Sequence, residues 1–407
     1  MKIKQVVLIW FLLFSVIAGD FLRTLGNVGK LSISISTYLS LFLYYLSILI
    51  LLYFAKKTNW KELHNDVRIL YFIWLGIMVF GILHSAFVSH DYWDWKYLVM
   101  SAVTFSAVPL IFCLGMNYFL VVFRLFLKFM FPLAFVFIPL NYFAHELYSR
   151  LVVPASIYLL FIPYLDKRTV IKICIVVFIS VFICIDFRTN LVKVFISLCL
   201  LMLFKLRKYI NINLLKLAHL ALFIVPVFFL LLGISGKYNI LQEISSNKMI
   251  LYDYEGNKYN MFGDTRTGLF VEVFDSLKQT GHWFFGEGAA GYYQSFHFID
   301  SGGALNGERY STEVGALNLI LKYGLTGIFI YFCLLLYVSY IAIYYSNNYL
   351  SKMLGLLIAS RWMLSFLEEF TQYDLNFFFF WLIMGLVSST WFRNMTDEEI
   401  VDYLNVR

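Results

Sequence analysis

Across 407 residues the chain is 61% hydrophobic, 20% aromatic and only 14% charged, with a formal net charge of +7. Soluble domains carry about 25% charged residues, so this composition excludes a water-soluble enzyme and predicts an all-α, polytopic membrane protein. Surplus Lys and Arg in such a chain mark the loops of one membrane face, so the positive balance does not imply a nucleic-acid partner.

The opening stretch, MKIKQVVLIWFLLFSVIAGD, has the basic start, apolar run and small residues (Ala18, Gly19) of a signal peptide. A retained first helix fits a chain this hydrophobic better. Apolar runs predict spans near 5–19, 32–55, 69–88, 97–115, 118–139, 151–165, 169–185, 190–206, 214–235, 314–345, 350–370 and 375–392. That makes about twelve transmembrane helices at about 20 residues per crossing. Pro132, Pro139, Pro154 and Pro226 predict kinks or tilts. With a cytoplasmic N-terminus, the inner segments collect Lys2 and Lys4, then Lys56, Lys57, Lys61 and Arg68, then Lys167, Arg168 and Lys172. Lys205, Arg207 and Lys208 follow, and finally Arg393 and Arg407. The outer loops HDYWDWK, NYFAHELYSR and EEFTQYDLN are aromatic and acidic. This asymmetry predicts that both termini are cytoplasmic. Cys113, Cys174, Cys184, Cys199 and Cys333 all lie in apolar runs, without zinc-ligand spacing, and read as small buried hydrophobes. No metal or cofactor is expected.

Three parts follow: helices one to nine over 1–235, an extracytoplasmic loop over 236–313, and three helices with a short cytoplasmic tail over 314–407. Loops beyond about 15 residues are uncommon and usually functional. This one is rich in aromatics and glycine turns, and reads as a cap folded back over the membrane part.

Charges near a bilayer are costly, about 2.5–3.5 kcal/mol at a helix centre on insertion scales, so those that persist are candidates. Arg188 in IDFRTNLVKVF opens a span. Its guanidinium can fork onto phosphate oxygens, or anchor at the interface beside Asp186. Arg266 in GDTRTGLFVEVF leads a helix whose Leu269, Phe270, Val273, Phe274 and Leu277 recur at helical spacing. A helix N-terminus favours anions; a salt bridge to Asp264 or Glu272 is the competing reading. In HWFFGEGAAGYYQSFHF, Gly286, Gly288 and Gly291 predict a turn whose backbone comes close to a ligand. Its aromatics, Tyr292 among them, suit sugar faces or a membrane interface, and His297 is either an acid–base group or structural. Arg309 opens RYSTEVGALNLILKYGLTG, where Ser311 or Thr312 would cap a helix. Glu313 would there be partly desolvated and suited to proton abstraction, or would simply complement the helix dipole. Arg361 lies inside the eleventh span, with Glu368, Glu369 and Asp374 at its outer end; an internal ion pair is its default reading.

The order of these signals resembles the O-antigen polymerase and ligase superfamily of bacterial envelope proteins. Arg188 opens a mid-chain helix, Arg266 leads a helix in a long outer loop, the turn WFFGEGAAGYY follows, and Glu313 precedes a helix bearing KYGLTGIFIYF. The resemblance spans roughly 186–332. It implies a metal-independent glycosyltransferase at the outer face of the bacterial inner membrane, with undecaprenyl-diphosphate-linked oligosaccharide as donor and acceptor. It also implies membrane lipids as surroundings and a chain-length regulator as a partner. Arg188 and Arg266 would hold the diphosphate, with Arg309, Arg361 and Tyr292 as further substrate contacts. Glu313 or His297 would orient or activate the acceptor. The ligase branch usually places a His-Asn pair where this chain has Thr312-Glu313, which favours the repeat-unit polymerase and leaves the base open. A ligase, or another transferase using the same donor, is the alternative within the class. A multi-spanning polysaccharide or small-molecule transporter is the alternative outside it. A transporter should show repeated halves and midplane charges; this chain has no internal repeat, and its notable charges gather at the outer edge.

Overall fold

The computed structural model describes residues 3–27, 32–141, 148, 150, 153–183, 188–234, 250–252, 258–260, 267–295, 307–370 and 372–405. They are overwhelmingly helical. In chain order come α1 (Ile3–Asn27), α2 (Ile33–Lys57), α3 (Asn65–Val88), α4 (Tyr92–Tyr97), α5 (Val103–Ala107) and α6 (Phe112–Asn141). After a 3₁₀ segment, Val153–Tyr164, follow α7 (Lys167–Ile183), α8 (Arg188–Lys205) and α9 (Ile212–Ile234). Strands β1 (Ile250–Tyr252) and β2 (Lys258–Asn260) pair antiparallel, as do β3 (Tyr293–Gln294) and β4 (Glu308–Arg309). Helix α10 (Thr267–Thr280) lies between the two pairs in sequence. Last come α11 (Gly315–Tyr344), α12 (Tyr349–Leu364), α13 (Leu375–Ser388), α14 (Thr390–Asn394) and α15 (Asp397–Asn405).

Among the described residues six helical stretches are long and apolar enough to cross a membrane: Ile3–Gly26, Ser34–Lys57, Asn65–Val88, Tyr92–Pro139, Ile212–Leu231 and Gly315–Tyr344. The spans expected at 97–115 and 118–139 are joined. A π turn (Leu98–Ala102), α5, a 3₁₀ turn (Val108–Ile111) and α6 run on without an intervening loop. Helices α7, α8, α12 and α13 form where apolar runs predict them, but hold 17, 18, 16 and 14 residues. At 1.5 Å per residue that is roughly 21–27 Å, short of the roughly 30 Å hydrocarbon layer.

The burial pattern is that of a protein solvated by lipid. Large apolar side chains cover the outside of the bundle: Phe42, Phe80, Phe178, Leu217 and Leu231 are all exposed. A soluble protein does not present so much continuous apolar surface. The centre is α13, LNFFFFWLIMGLVS, in which every residue is buried; a helix apolar all round belongs inside. It crosses α6 where two glycines meet. A Cβ on Gly115 would lie 2.0 Å from the Leu382 carbonyl oxygen, and one on Gly385 would lie 2.0 Å from that of Phe112. Small residues let membrane helices approach at backbone distance.

Helix α11 packs against α3, α12 and α13 and is broken at Gly324, where φ is 65° and ψ is −166°. The break is filled by another part of the chain. Glu287 and Gly288 donate their amides to the Leu321 and Lys322 carbonyls (2.7 and 3.1 Å), while Leu325 and Thr326 donate to those of Trp283 and Phe284 (2.8 and 3.1 Å). Four backbone groups that the break strips of helical partners are thereby satisfied.

Candidate functional site

The charged residues of interest collect where α11 and α13 begin, α12 ends and α8 begins. The first amides of α11 lack helical partners. Gly315 and Ala316 donate instead to the Glu368 and Ser365 carbonyls, both at 2.8 Å. This ties the turn after α12 to the start of α11 and aims the Glu368 side chain inward. There Glu368 meets Lys193 of α8 at 2.6 Å and Arg361 of α12 at 3.3 Å. The three side chains are about nine-tenths buried, at 9%, 11% and 10% exposure for Lys193, Glu368 and Arg361. Charges this dry persist only when paired. Arg361 therefore forms the internal ion pair that its position in an apolar run suggests. The cavity bounded by Arg361, Glu368, Tyr331, Phe370 and Phe380 is only about 10 Å³, room for roughly one water.

Polar contacts continue outward from this triad. Asp374 caps α13 through the Phe377 amide (3.0 Å) and lies in the electrostatic reach of Lys193 and Arg150. Arg150 donates to Gln372 (2.7 Å), and Gln372 to Glu369 (2.9 Å). Asn318 donates to Glu369 at 3.4 Å and accepts from the Thr312 amide at 2.6 Å. A chain of contacts thus runs from α8 to the residue beside Glu313.

At that end sit Arg309, Glu313 and Tyr292. Arg309 lies in β4 opposite Tyr293 and approaches Glu313 at 3.9 Å. Glu313 keeps 50% of its side chain exposed, so little of the expected desolvation acts on it. The reason is local: α11 starts at Gly315, leaving Glu313 before the first turn. Nor does Ser311 or Thr312 cap the helix in the expected way. Val314 takes the cap position, and Thr312 Oγ1 accepts from the Val314 amide at 3.0 Å. Tyr292 is 37% exposed and meets the Tyr310 ring edge-on, at 5.7 Å between centroids.

The glycine turn does make close approaches, but to the protein itself. Gly286 (φ 71°) abuts the α11 backbone, where a Cβ would lie 2.6 Å from the Lys322 carbonyl carbon and the Tyr323 nitrogen. A neighbouring cluster closes the turn. His282 Nδ1 lies 2.8 Å from Glu287, and the Thr280 hydroxyl donates to Glu287 as well. Helix α10 forms on the apolar stripe expected of it, with Leu269, Val273 and Leu277 fully covered and Phe270 and Phe274 packed on the core. Its Glu272 is buried and accepts from Ser295 at 3.0 Å.

The structure therefore brings Arg309 to Glu313, sets Tyr292 against Tyr310 instead, and joins Thr312, beside Glu313, through Asn318 to Glu369. Arg188 begins α8, five positions before Lys193, which places its backbone at the same end of the bundle. Its side chain, and the whole of Arg266 and His297, lie outside the described residues. Two buried lysines escaped the sequence reading. Lys193 was hidden in NLVKVF, where a lysine reads as an interfacial anchor, and Lys322 in LILKYG. Their signal is the same: one cation within an uninterrupted apolar run. Among the described residues no group of three or more His, Cys, Asp and Glu is gathered closely enough to hold a metal ion. An apolar groove of about 260 Å³ between α1 and α6, lined by Trp10, Phe14, Phe21, Phe129 and Phe137, is distinct from the charged cluster. Comparison with protein-family models, curated proteins and solved structures finds no match to this chain.

Proposed function

We propose that the chain is a membrane glycosyltransferase that polymerises undecaprenyl-diphosphate-linked oligosaccharide units into a surface polysaccharide at the outer face of the bacterial inner membrane. The observation that carries this reading is the convergence of charge at one end of an apolar helical bundle. The buried Lys193–Glu368–Arg361 triad lies there, α8 begins there at Arg188, and the chain passes Arg309 and Glu313 into α11. Buried and interfacial charge of this kind marks sites that handle charged groups.

In the proposed reaction an acceptor sugar hydroxyl attacks the anomeric carbon of the donor glycan. The bond from that carbon to the diphosphate oxygen breaks, with inversion, and undecaprenyl diphosphate leaves with the electron pair. The hydroxyl proton passes to Glu313, His297 or water. Arg188 and Arg266 offset the charge of the leaving diphosphate. Arg361, whose charge is already matched by Glu368, acts by holding α12 and α8 in register rather than by gripping the ligand.

The test is polymerisation by the purified full-length protein in nanodiscs, supplied with a defined lipid-diphosphate oligosaccharide and resolved as a ladder. The wild type should give long products. Arg188→Ala and Arg266→Ala should each lower the rate by roughly 100-fold or more, the scale of losing a charge-stabilising contact in a transition state. Undiminished ladders from both variants would remove the diphosphate clamp, and no product from the wild type would remove the polymerase reading.

A further inference from the structure

Helix α4 and the β3–β4 pair build a wall of rings and carboxylates that the proposed diphosphate clamp does not use. Tyr310 stacks on Tyr97 with centroids 5.0 Å apart and planes at 20°, and donates its hydroxyl to Asp94 at 2.9 Å. Tyr292 stands edge-on to Tyr310, with its hydroxyl towards Glu308. Behind the wall Lys322, only 2% exposed, donates to the Tyr97 hydroxyl at 2.7 Å and lies 5.0 Å from that ring. Among the described residues this neutral hydroxyl is its hydrogen-bond partner. A buried ammonium spent on one tyrosine fixes that ring firmly, and through it Tyr310.

The carboxylates come from separate segments: Asp91 and Asp94 from the α4 turn, Glu308 from β4. They face one another closely enough that the Glu308 carboxyl is pushed above its ordinary range, first by burial and then by Asp91 and Asp94. Lys96, within α4, lies over the Trp93 ring at 4.4 Å. Such a wall repels anions. It accepts hydrogen bonds from hydroxyl donors that bring no charge of their own, and its rings offer faces to apolar C–H groups. Sugars combine both properties.

We infer that Tyr292, Tyr310, Asp94 and Glu308 form a subsite for a neutral sugar unit of the acceptor glycan. The inference rests on the glycosyltransferase reading above. Tyr292 and Tyr310 supply ring surface, Asp94 and Glu308 accept from sugar hydroxyls, and Tyr97 with Lys322 positions Tyr310. The three carboxylates are not gathered closely enough to hold a metal ion, and a cation would leave the ordered rings without a purpose.

The experiment is saturation-transfer NMR and calorimetry on the full-length protein in nanodiscs. The probes are free neutral oligosaccharides without lipid or phosphate: maltotriose, chitotriose and the repeat unit released from the source cell's own surface polysaccharide. At least one should bind the wild type. Tyr292→Ala and Glu308→Gln should each weaken that binding roughly tenfold, the scale of one lost contact. Asp402→Asn, far away on α15, should bind as the wild type does. Tyr292→Phe should retain more binding than Tyr292→Ala, a graded response that general unfolding does not produce. No binding by the wild type, or equal binding by all variants, overturns the subsite. Calcium or manganese binding that Glu308→Gln abolishes, without glycan binding, overturns it in favour of a metal. The two readings fail separately: polymerisation with an unchanged acceptor KM in Tyr292→Ala sinks only the subsite, while variant-sensitive glycan binding without polymerisation sinks only the enzyme.

Discussion

Two junctions hold α11 in place, and they use opposite chemistry. At its start, α11 is bonded through the Gly315 and Ala316 amides to the turn after α12, and that turn is fixed by the side-chain charges of Lys193, Glu368 and Arg361. At its middle, α11 meets the Trp283–Gly288 turn across the Gly324 break, where the decisive contacts are backbone hydrogen bonds. Charge junctions depend on their partners remaining ionised and matched. Backbone junctions tolerate many side chains but demand particular dihedral angles and almost no bulk. Substitution separates the two.

The largest expected effect is at the charge junction. Glu368→Ala leaves Lys193 and Arg361 buried without their carboxylate and should destabilise the protein by about 3–5 kcal/mol. The triple variant Lys193→Met, Arg361→Met, Glu368→Leu removes the mismatch and should recover most of that loss. Thermal unfolding in detergent compares the two, and a triple variant no more stable than Glu368→Ala would show that the charges are not the mutual partners described. Next comes the backbone junction. Gly324→Val forces a β-branched residue to φ 65° and sets a Cβ 2.3 Å from the Phe284 carbonyl carbon. Backbone strain alone is worth about 1–3 kcal/mol, and amide exchange at Leu325 and Thr326 should rise with it. Unchanged protection there would mean that the turn does not depend on the break. The smallest effect is expected where charge meets solvent. Glu313→Ala should change stability by less than about 1 kcal/mol, because half of its side chain is exposed and its pair with Arg309 is 3.9 Å long. A larger loss in the same unfolding assay would assign Glu313 to the charge junction.

Much of the helical frame was legible from the sequence because lipid solvation makes apolar runs long and unambiguous. The stripe of α10 was legible for the same reason, its Leu269, Val273 and Leu277 recurring at helical spacing. Arg361 could be read as half of an ion pair because a lone guanidinium in an apolar run must find a carboxylate. The second cation on that carboxylate could not: Lys193 lies more than 160 positions from Glu368 in sequence, and only helix packing brings the two together. The break at Gly324 was invisible because KYGLTG continues an apolar run on both sides, and hydropathy reports nothing about φ. The glycine turn at 286–291 was legible as a close approach, yet its target was a helix of the same chain. Joined helices at 97–139 escaped because the expected break at 116–117 falls inside the unbroken helix α6, where the Asn117 side-chain amide is satisfied by the Cys113 carbonyl and the Thr58 hydroxyl.

The turn wedged into Gly324 also bears on how the protein is made. Trp283–Gly288 is synthesised before the second half of α11, so the carbonyls that receive Leu325 and Thr326 already exist when those residues leave the ribosome. If the wedge is withheld, the nascent helix exposes four unmatched peptide groups to hydrocarbon, a severe obstacle to lateral release from the insertion machinery. The Trp283–Gly288 turn and the second half of α11 are therefore expected to reach their final arrangement together. A protein assembled from two separately expressed halves divided at residue 296 should insert its second half stably only when the first is already present.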